Sequence, residues 1–397
     1  MTDFDKTRAA FELPDGIVYL DGNSLGPLPR AARERVAREV RDQWGRMLIR
    51  GWNEAGWMDL PETVGNKIGR LIGAPEGSVV AGDSTSVNLF KALTAALSLS
   101  GERRIVLSDS GNFPTDLYVA QQALAWLGRG HELRIVAPDE VEGAIDEKVA
   151  VLMLTQVDYR SGRLHDMAGL TAKAHAAGAI TVWDLAHSAG ALPVDLSGAG
   201  ADFAIGCGYK YLNGGPGAPA FIHVRPDHAG RVSPALAGWM GHAAPFAFDL
   251  GYEPAAGVNR MRVGTPPILS MAALDAALDV WDGVSMADVR ARSIELSQTF
   301  IAEVEARCPD LVLASPRDPE LRGSQVSFAF AEGYAAMQAA IANGVVGDFR
   351  APDIMRFGFT PLYVGRDDVV RAAKILGRVM DEKLWDRPEF KQRAKVT

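Results

Sequence analysis

Cysteine is scarce in this 397-residue chain, which contains only Cys207 and Cys308. The two lie far apart and have no partners at metal-ligand spacing, so neither a disulfide framework nor a zinc site is predicted. No apolar run approaches the roughly 20 residues of a membrane helix, and the first residues lack a signal-peptide pattern. We therefore expect a cytoplasmic protein that binds no metal and no membrane.

Basic residues are outnumbered, with 41 Lys and Arg against 49 Asp and Glu and a formal net charge of −8. A charge of this sign disfavours a nucleic acid or an anionic membrane as the partner. The hydrophobic fraction of 48% is ordinary for a globular protein. At this length the chain can form two domains with a sizeable core.

Short apolar runs alternate with helical stretches from Ser78 onwards, which indicates a mainly parallel sheet covered by helices in one large α/β domain. Seven strands are predicted, at Ser78–Ala81, Arg104–Leu107, Leu133–Ala137, Val149–Leu154, Ile180–Trp183, Asp202–Ile205 and Ala220–Val224. Helices are predicted over Arg30–Trp44, Ile268–Val280 and Ser285–Arg307, and further strands at Leu311–Ala314 and Ser324–Phe330. The expected organisation is an N-terminal segment (1–57), a large domain (58–283) and a smaller α+β domain (284–397) with which the segment packs.

The stretch from Thr181 to Pro216 contains an acid and an amine that neighbouring strands could deliver to one pocket. Asp184 follows an apolar run of strand length, and Lys210 follows a second one. Pyridoxal phosphate (PLP) needs such a pair, because a Lys holds it as a Schiff base and an anion keeps its pyridine nitrogen protonated. A strand-end cap and a solvated lysine explain the same residues equally well.

The starts of two predicted helices could complete a cofactor pocket, one through its hydroxyl groups and the other through an aromatic ring. Thr85 and Ser86 lie between a predicted strand and a helix, where hydroxyl and N–H groups would face a phosphate. Phe113 could stack on the pyridine ring, with Asp116 hydrogen-bonding nearby. Helix capping and a buried Phe are the alternatives for these two segments.

Further polar side chains follow predicted strand ends, as a ligand site at the carboxyl edge of a sheet would require. They are Thr155, Asp158 and His187. Arg356 lies between apolar residues and needs a partner if it is buried. Either a substrate carboxylate or an internal Asp or Glu would serve, because guanidinium pairs with carboxylate.

Five ordered segments resemble the kynureninase family of PLP enzymes, which have the aspartate-aminotransferase fold. They are Phe-Pro-Thr-Asp (113–116), Asp-Leu-Ala-His-Ser-Ala-Gly (184–190), Gly-Tyr-Lys-Tyr-Leu-Asn-Gly-Gly-Pro-Gly (208–217), Gly-Trp-Met-Gly-His (238–242) and Gly-Thr-Pro-Pro-Ile-Leu (264–269). The match extends from Leu20 to Tyr363, nearly the whole chain. It implies fold type I of the PLP-dependent transferases. The Asp, His and Lys positions alone would also fit cysteine desulfurases and other class V aminotransferase relatives.

The resemblance implies hydrolysis of L-kynurenine to anthranilate and L-alanine, a step of tryptophan catabolism in the kynurenine pathway. Lys210 would form the Schiff base and remove the Cα proton, Asp184 would pair with the pyridinium nitrogen, and Tyr209 would assist as acid or base. Position 85 is a leucine in some relatives, which would leave Thr85 only a backbone contact. The implied cofactor-binding residues are Thr85, Ser86, Phe113, Pro114, Thr115, Asp116, Thr155, Asp184, His187, Tyr209 and Lys210, joined by Trp239 and Thr265 from the partner subunit of a homodimer.

For the substrate, the resemblance implies that Arg356 holds the carboxylate. Trp52, His242 and Gly264 are the candidates for contact with the aromatic ring, although a packing or dimer-interface role is favoured for the tryptophans around Trp52. At the positions of Gly264 and Thr265, relatives that favour 3-hydroxykynurenine have a pair that resembles Ser-Asn. We therefore expect this chain to prefer L-kynurenine.

The alternatives are a desulfurase, which would want a mobile cysteine in the C-terminal third, and a catalytically silent binding module. Cys308 is the only cysteine in that third. The retained Lys210 disfavours the silent module.

Overall fold

The structure is a computed structural model that describes residues 1–393. Its strands are β1 (Phe11–Glu12), β2 (Val18–Tyr19), β3 (Leu28–Pro29), β4 (Val79–Ala81), β5 (Ile105–Asp109), β6 (Glu132–Val136), β7 (Val149–Thr155), β8 (Ile180–Asp184), β9 (Phe203–Gly206), β10 (Phe221–Val224), β11 (Val312–Leu313), β12 (Gln325–Ala329), β13 (Val345–Val346), β14 (Asp348–Arg350) and β15 (Ile354–Gly358). Its α-helices are α1 (Phe4–Ala9), α2 (Arg30–Arg38), α3 (Gly51–Glu54), α4 (Leu60–Leu71), α5 (Thr85–Leu99), α6 (Pro114–Leu127), α7 (Val141–Ala144), α8 (Met167–Ala176), α9 (Leu196–Ala199), α10 (Pro226–Ala229), α11 (Ile268–Leu278), α12 (Met286–Arg307), α13 (Gly333–Ala342), α14 (Arg366–Asp381) and α15 (Pro388–Lys391).

The large sheet has the strand order β4-β10-β9-β8-β7-β5-β6. Strand β10 is antiparallel to both of its neighbours, whereas the pairs from β9 to β6 are parallel. The seven predicted strands are therefore present in one mainly parallel sheet, as the alternation of apolar runs and helices indicates. Parallel strands joined through helices present their carboxyl ends at one edge, where ligands bind in such sheets.

Both faces of this sheet are buried. Along β7, Leu152 and Leu154 pack in one hydrophobic cluster, and Val151 and Met153 pack in the other. Helix α5 covers the second face, while α4 and α11 belong to the first. This two-sided burial explains why the strands are continuous apolar runs rather than alternating ones.

A second, antiparallel sheet of order β11-β12-β15-β14 forms the C-terminal region. The N-terminal segment packs against it: β2 pairs with β13, and the Thr7 hydroxyl donates to the Leu362 carbonyl at 2.9 Å. These contacts agree with the packing expected of the segment. The division into units at residues 57 and 283 stays a prediction.

One helical prediction needs correction. The helix predicted over Arg30–Trp44 is an α-helix only to Arg38, and a π-helix continues over Glu39–Met47. The buried Glu39 carboxylate accepts hydrogen bonds from Arg35 and from the Trp57 indole N–H. Val40, within the π-helix, is 42% exposed in the single chain. Within residues 1–393, no helix combines the length and the apolar character needed to cross a membrane.

Candidate active site

A cavity of about 520 Å³ opens at the carboxyl edge of the parallel strands. The ends of β7, β8 and β9 and the starts of α5 and α6 border it. Most of the predicted cofactor-binding residues of this chain meet there. The lining residues include Asp83, Ser84, Thr85, Ser86, Phe113, Thr115, Asp116, Thr155, Tyr159, Asp184, His187, Cys207, Tyr209, Lys210 and Pro267.

The Lys210 amine lies inside this cavity, 3.1 Å from His187 Nε2. The loop that carries Lys210 lies close to the neighbouring backbone. A Cβ atom added at Gly208 would lie only 2.5 Å from the Pro219 carbonyl oxygen. Burial lowers the pKa of Lys210, which makes the amine easier to deprotonate. Burial and the nearby Lys210 charge lower the pKa of His187 well below its usual value, so the imidazole is neutral at neutral pH. An amine of this kind is suited to nucleophilic and base chemistry.

Asp184 and Asp116 place two carboxyl groups at the same end of the cavity. Asp184 ends β8, and its Oδ1 accepts a hydrogen bond from the Ala186 N–H at 2.6 Å. Burial and the charge of Asp184 raise the pKa of Asp116 well above its usual range, and Asp116 Oδ2 has no partner among the described residues. Burial raises the pKa of Asp184 as well, but the Ala186 N–H and the Lys210 charge oppose that rise, so a proton shared by the pair resides mainly on Asp116.

The first turn of α5 faces the cavity with free backbone donors. Ser84 is the N-cap, and its hydroxyl accepts from the Val87 N–H at 3.3 Å. The helix therefore begins at Thr85, slightly before the position expected from the sequence. Thr85 and Ser86 add hydroxyl groups beside the positive end of the helix dipole. This arrangement suits a phosphate group.

Phe113 stands at the mouth of the cavity, where its ring meets Tyr159 edge-on at 5.1 Å between centroids. Thr155 donates to the Asn112 side-chain oxygen, which also accepts from the Phe113 N–H at 2.8 Å. Thr155 thus supports the loop that carries Phe113. Pro114 is the first residue of α6 and is not among the lining residues.

The N-terminal segment packs against the loop that carries Lys210, which we call the lysine loop. The Gly26 N–H donates to the Tyr209 carbonyl at 2.7 Å, and a Cβ at Gly26 would lie 2.5 Å from the Lys210 carbonyl oxygen. Only glycine permits this approach. The glycine- and proline-rich stretch at residues 21–29 therefore supports the loop that carries Lys210.

Several predicted site residues do not reach this cavity within one chain. Gly264 and Thr265 lie in a small pocket beside β4, and Trp239 and His242 lie in a separate surface cleft. Both ring nitrogens of His242 are engaged by its own loop, and Trp52 packs edge-on against Trp57 at 5.5 Å. Asp158 was expected at the site, but its side chain caps the turn at Arg160 and Ser161.

Arg356 lies on β15 and is almost fully buried. It forms an internal ion pair with Asp348, the alternative that the sequence left open for a buried arginine, and its Nη1 donates to the Tyr159 carbonyl. It is not a lining residue, but its charge contributes to lowering the pKa of Lys210 and of His187. Sequence reasoning missed Tyr159 and Cys207, although each follows a predicted strand closely.

The residues fit the cofactor that the sequence implies. PLP requires an amine for its aldehyde, an anion for its ring nitrogen and donors for its phosphate. Lys210, Asp184 and the first turn of α5 supply these groups in one cavity. Among the described residues, no cluster of three His, Cys, Asp or Glu side chains could hold a metal ion.

Comparison with known proteins shows which family has this arrangement. The family model "Kynureninase C-terminal domain" matches residues 289–376. Kynureninase from Pseudomonas fluorescens is 51% identical over 98% of this chain and 95% of its own length. Kynureninase from Burkholderia pseudomallei is 49% identical over the same shares. The chain belongs to the kynureninase family.

Solved structures agree on the fold. The cysteine desulfurase from Thermococcus onnurineus NA1 is 19% identical, with a TM-score of 0.80 over 96% of this chain and 99% of its own. A variant of C-DES with glycine linked to its PLP cofactor is 17% identical, with a TM-score of 0.80 over 95% and 99%. Membership of the kynureninase family, together with this fold, confirms the predicted fold class, enzyme class and PLP cofactor.

The proton on Asp116 gives a testable pH dependence. Above about pH 4 the unfolded chain releases this proton while the folded, cofactor-free protein retains it, so the contribution of Asp116 to stability falls as pH rises. Asp116→Asn removes this dependence. We expect the free energy of unfolding of Asp116→Asn, relative to the unmodified protein, to increase between about pH 4 and pH 8 in urea titrations. The exposed Asp139→Asn should show no such trend, and an identical trend in both variants would contradict the assignment.

Proposed function

We propose that this chain hydrolyses the Cβ–Cγ bond of L-kynurenine to anthranilate and L-alanine, with PLP held at Lys210. The kynureninase relatives at 49–51% identity support the reaction. The observation that carries the residue roles is the convergence of Lys210, Asp184 and the first turn of α5 on one cavity.

The cofactor's surroundings follow from this geometry. Thr85 and Ser86 would hold the phosphate with their hydroxyl and backbone groups, and Phe113 would supply an aromatic ring for stacking on the cofactor. Asp184 would accept a hydrogen bond from the protonated ring nitrogen, and the protonated Asp116 would keep a second negative charge from accumulating beside it. When bound there, PLP stores the electrons released at the substrate's Cα and Cβ.

Proton transfers belong to the chain's own side chains. Lys210 would remove the Cα proton of the bound substrate, and its lowered pKa suits the role of a base. His187, neutral and 3.1 Å away, orients the amine. Tyr209 keeps its phenolic proton, because burial raises its pKa. Tyr209 is thus a proton donor for the γ-carbonyl while water attacks there and the Cβ–Cγ bond breaks.

The desulfurase alternative has less support. Cys308 is completely buried at the end of α12 and does not line the cavity. Burial raises its pKa to about 12, which keeps the thiol protonated and a poor nucleophile at neutral pH. The likeness to the cysteine desulfurase from Thermococcus onnurineus NA1, at 19% identity, concerns the fold alone.

The proposed active unit is a homodimer. Trp239 is 41% exposed and Thr265 lies outside the chain's own cavity, so both are free to reach the site of a partner subunit. The exposed aromatic residues around Trp239, which include Phe246 and Phe248, provide an apolar surface of the kind that protein interfaces cover.

The first functional prediction concerns Lys210. The purified protein should turn over L-kynurenine with the appearance of anthranilate fluorescence, and borohydride reduction should fix the cofactor on the peptide that contains Lys210. Lys210→Ala should lower kcat about a thousandfold or more, because the covalent anchor and the base are lost together. The exposed Lys148→Ala serves as the matched control. Labelling of a different lysine would contradict the assignment of Lys210.

The second prediction concerns substrate choice. Gly264 offers no side chain to a ring 3-hydroxyl, and an unpaired buried hydroxyl costs on the order of 1–3 kcal/mol. We expect kcat/KM for L-kynurenine to exceed that for 3-hydroxykynurenine roughly 5- to 100-fold. Equal values would refute the preference. Replacing Gly264-Thr265 by Ser-Asn tests the cause, since an unaltered ratio leaves these positions without a role in specificity.

The third prediction concerns the dimer. Mixing an inactive Lys210→Ala chain with an inactive Thr265→Ala chain should restore part of the activity, because a hybrid dimer contains one site with both native residues. Two preparations of Lys210→Ala mixed in the same way provide the control. Active protein that sediments strictly as a monomer would rule out shared sites.

A further inference from the structure

An acidic residue precedes the helix start at which the cofactor's phosphate is proposed to bind. Asp83 lies two residues before Thr85, and both residues line the catalytic cavity. A carboxylate beside a phosphate is unfavourable, because like charges repel each other strongly where water is partly excluded. A phosphate can bind here only if the charge of Asp83 is compensated.

The compensating group is the ammonium group of Lys91, which lies on α5. Its Nζ lies 2.7 Å from Asp83 Oδ2 and donates to the Met261 carbonyl at 2.6 Å. The Lys91 side chain is only 1% exposed, and a buried ammonium group is costly unless it is paired. Within residues 1–393, Asp83 is the one carboxylate at ion-pair distance from Lys91.

The ion pair draws the Asp83 carboxylate away from the cavity. Asp83 borders two spaces, the catalytic cavity and the small pocket beside β4. Lys91 and Met261 line the small pocket and are not among the residues that line the cavity. The bond to Lys91 therefore directs the carboxylate towards the small pocket.

The backbone of this turn is held independently of the ion pair. The Gly82 N–H donates to the Ala220 carbonyl at 2.8 Å, and the Ala220 N–H donates to the Asp83 carbonyl at 3.0 Å. The Asn88 side-chain amide donates to the Gly82 carbonyl at 3.0 Å. Asp83 has a φ of +52°, which aspartate and asparagine adopt more readily than most residues other than glycine. Asparagine at position 83 would therefore keep the turn and lose the charge.

We propose that Lys91 is a positioning residue for the cofactor's phosphate, because it neutralises the Asp83 carboxylate and holds it in the small pocket. The positive end of the α5 dipole is then left free for the phosphate. This inference rests on the proposed binding of the phosphate at Thr85 and Ser86. Lys91 lies outside the cavity, so it acts on the phosphate through Asp83.

Pyridoxal, which lacks the phosphate, separates this role from a general effect on the site. The cofactor-free, full-length protein is titrated at pH 8 with PLP and with pyridoxal, and Schiff-base formation is followed by absorption. Lys91→Met removes the ammonium group and leaves the charge of Asp83 uncompensated. We expect the Kd of PLP to rise roughly 10- to 100-fold, the effect of a like charge several ångströms away. The Kd of pyridoxal should stay within about twofold, since it carries no phosphate.

Removing the carboxylate should reverse the effect of removing the lysine. The double variant Lys91→Met/Asp83→Asn has neither charge, so its Kd for PLP should return to within about threefold of the unmodified protein. Asp83→Asn alone should bind PLP at least as tightly as the unmodified protein does. Weaker binding by Asp83→Asn, or no recovery in the double variant, overturns the proposal. These two variants also test it if Lys91→Met does not fold.

Lys67→Met is the matched control, because Lys67 forms an ion pair of the same kind with Asp275 at 2.6 Å and does not line the cavity. It should bind PLP and pyridoxal as the unmodified protein does. Unchanged PLP binding by Lys91→Met overturns the role of Lys91. Equal weakening of PLP and pyridoxal also overturns it, because that result indicates a structural defect.

Failure of the proposed function gives a different result. Selective loss of PLP affinity in Ser86→Ala, with none in Lys91→Met, supports the proposed phosphate position and refutes this inference. If Lys91→Met and the double variant behave as expected but the enzyme does not release anthranilate from L-kynurenine, the proposed reaction is refuted and this inference is supported. Release of anthranilate with unchanged PLP binding in Lys91→Met supports the proposed reaction and refutes this inference.

Discussion

The buried group of Asp184, Asp116 and Lys210 is the constraint around which the rest of the structure is arranged. Ionised groups are expensive to remove from water unless each meets an opposite charge or a donor. Asp184 receives the Ala186 N–H and faces the Lys210 amine, while Asp116 retains a proton. Such a balance holds only if the side chains cannot move apart, which a sheet packed on both faces ensures.

The same balance gives each group a different chemical task. Burial makes the Lys210 amine less basic, keeps His187 neutral and keeps the Tyr209 phenol protonated. One environment therefore yields a base, a neutral orienting group and an acid at the same pH. Pairs of titratable groups whose environments move their pKa values apart are typical of acid–base sites.

Sequence reasoning located the large sheet and the centre of the site. The strands were predictable because two-sided burial makes them continuous apolar runs, and Asp184 and Lys210 were predictable because each follows such a run. Thr85, Phe113 and Asp116 were candidates because they lie at predicted helix starts, the family resemblance implied the same residues, and the structure brings them to the same cavity. The roles of these residues in catalysis stay proposals.

Other features depend on contacts that no linear pattern reveals. The ion pair between Asp348 and Arg356 exists because β14 and β15 pair with these two residues opposite each other, and a one-residue change of register would separate them. The proton on Asp116 depends on its distance from Asp184 in space rather than in sequence. The π-helix after Arg38 follows from the buried Glu39 carboxylate and its indole partner, which a helical pattern alone does not show.

The pairing of β2 with β13 has a consequence for how the chain is made. The N-terminal segment contacts partners that lie more than three hundred residues further along the chain. Val18 pairs with Val345, and the Thr7 hydroxyl donates to the Leu362 carbonyl. Gly26, which supports the lysine loop, belongs to this segment. Contacts of such sequence separation form late, because the loop they close is long. Lys210 therefore gains the support of the N-terminal segment only after the segment's distant partners, Val345 and Leu362, have been synthesised.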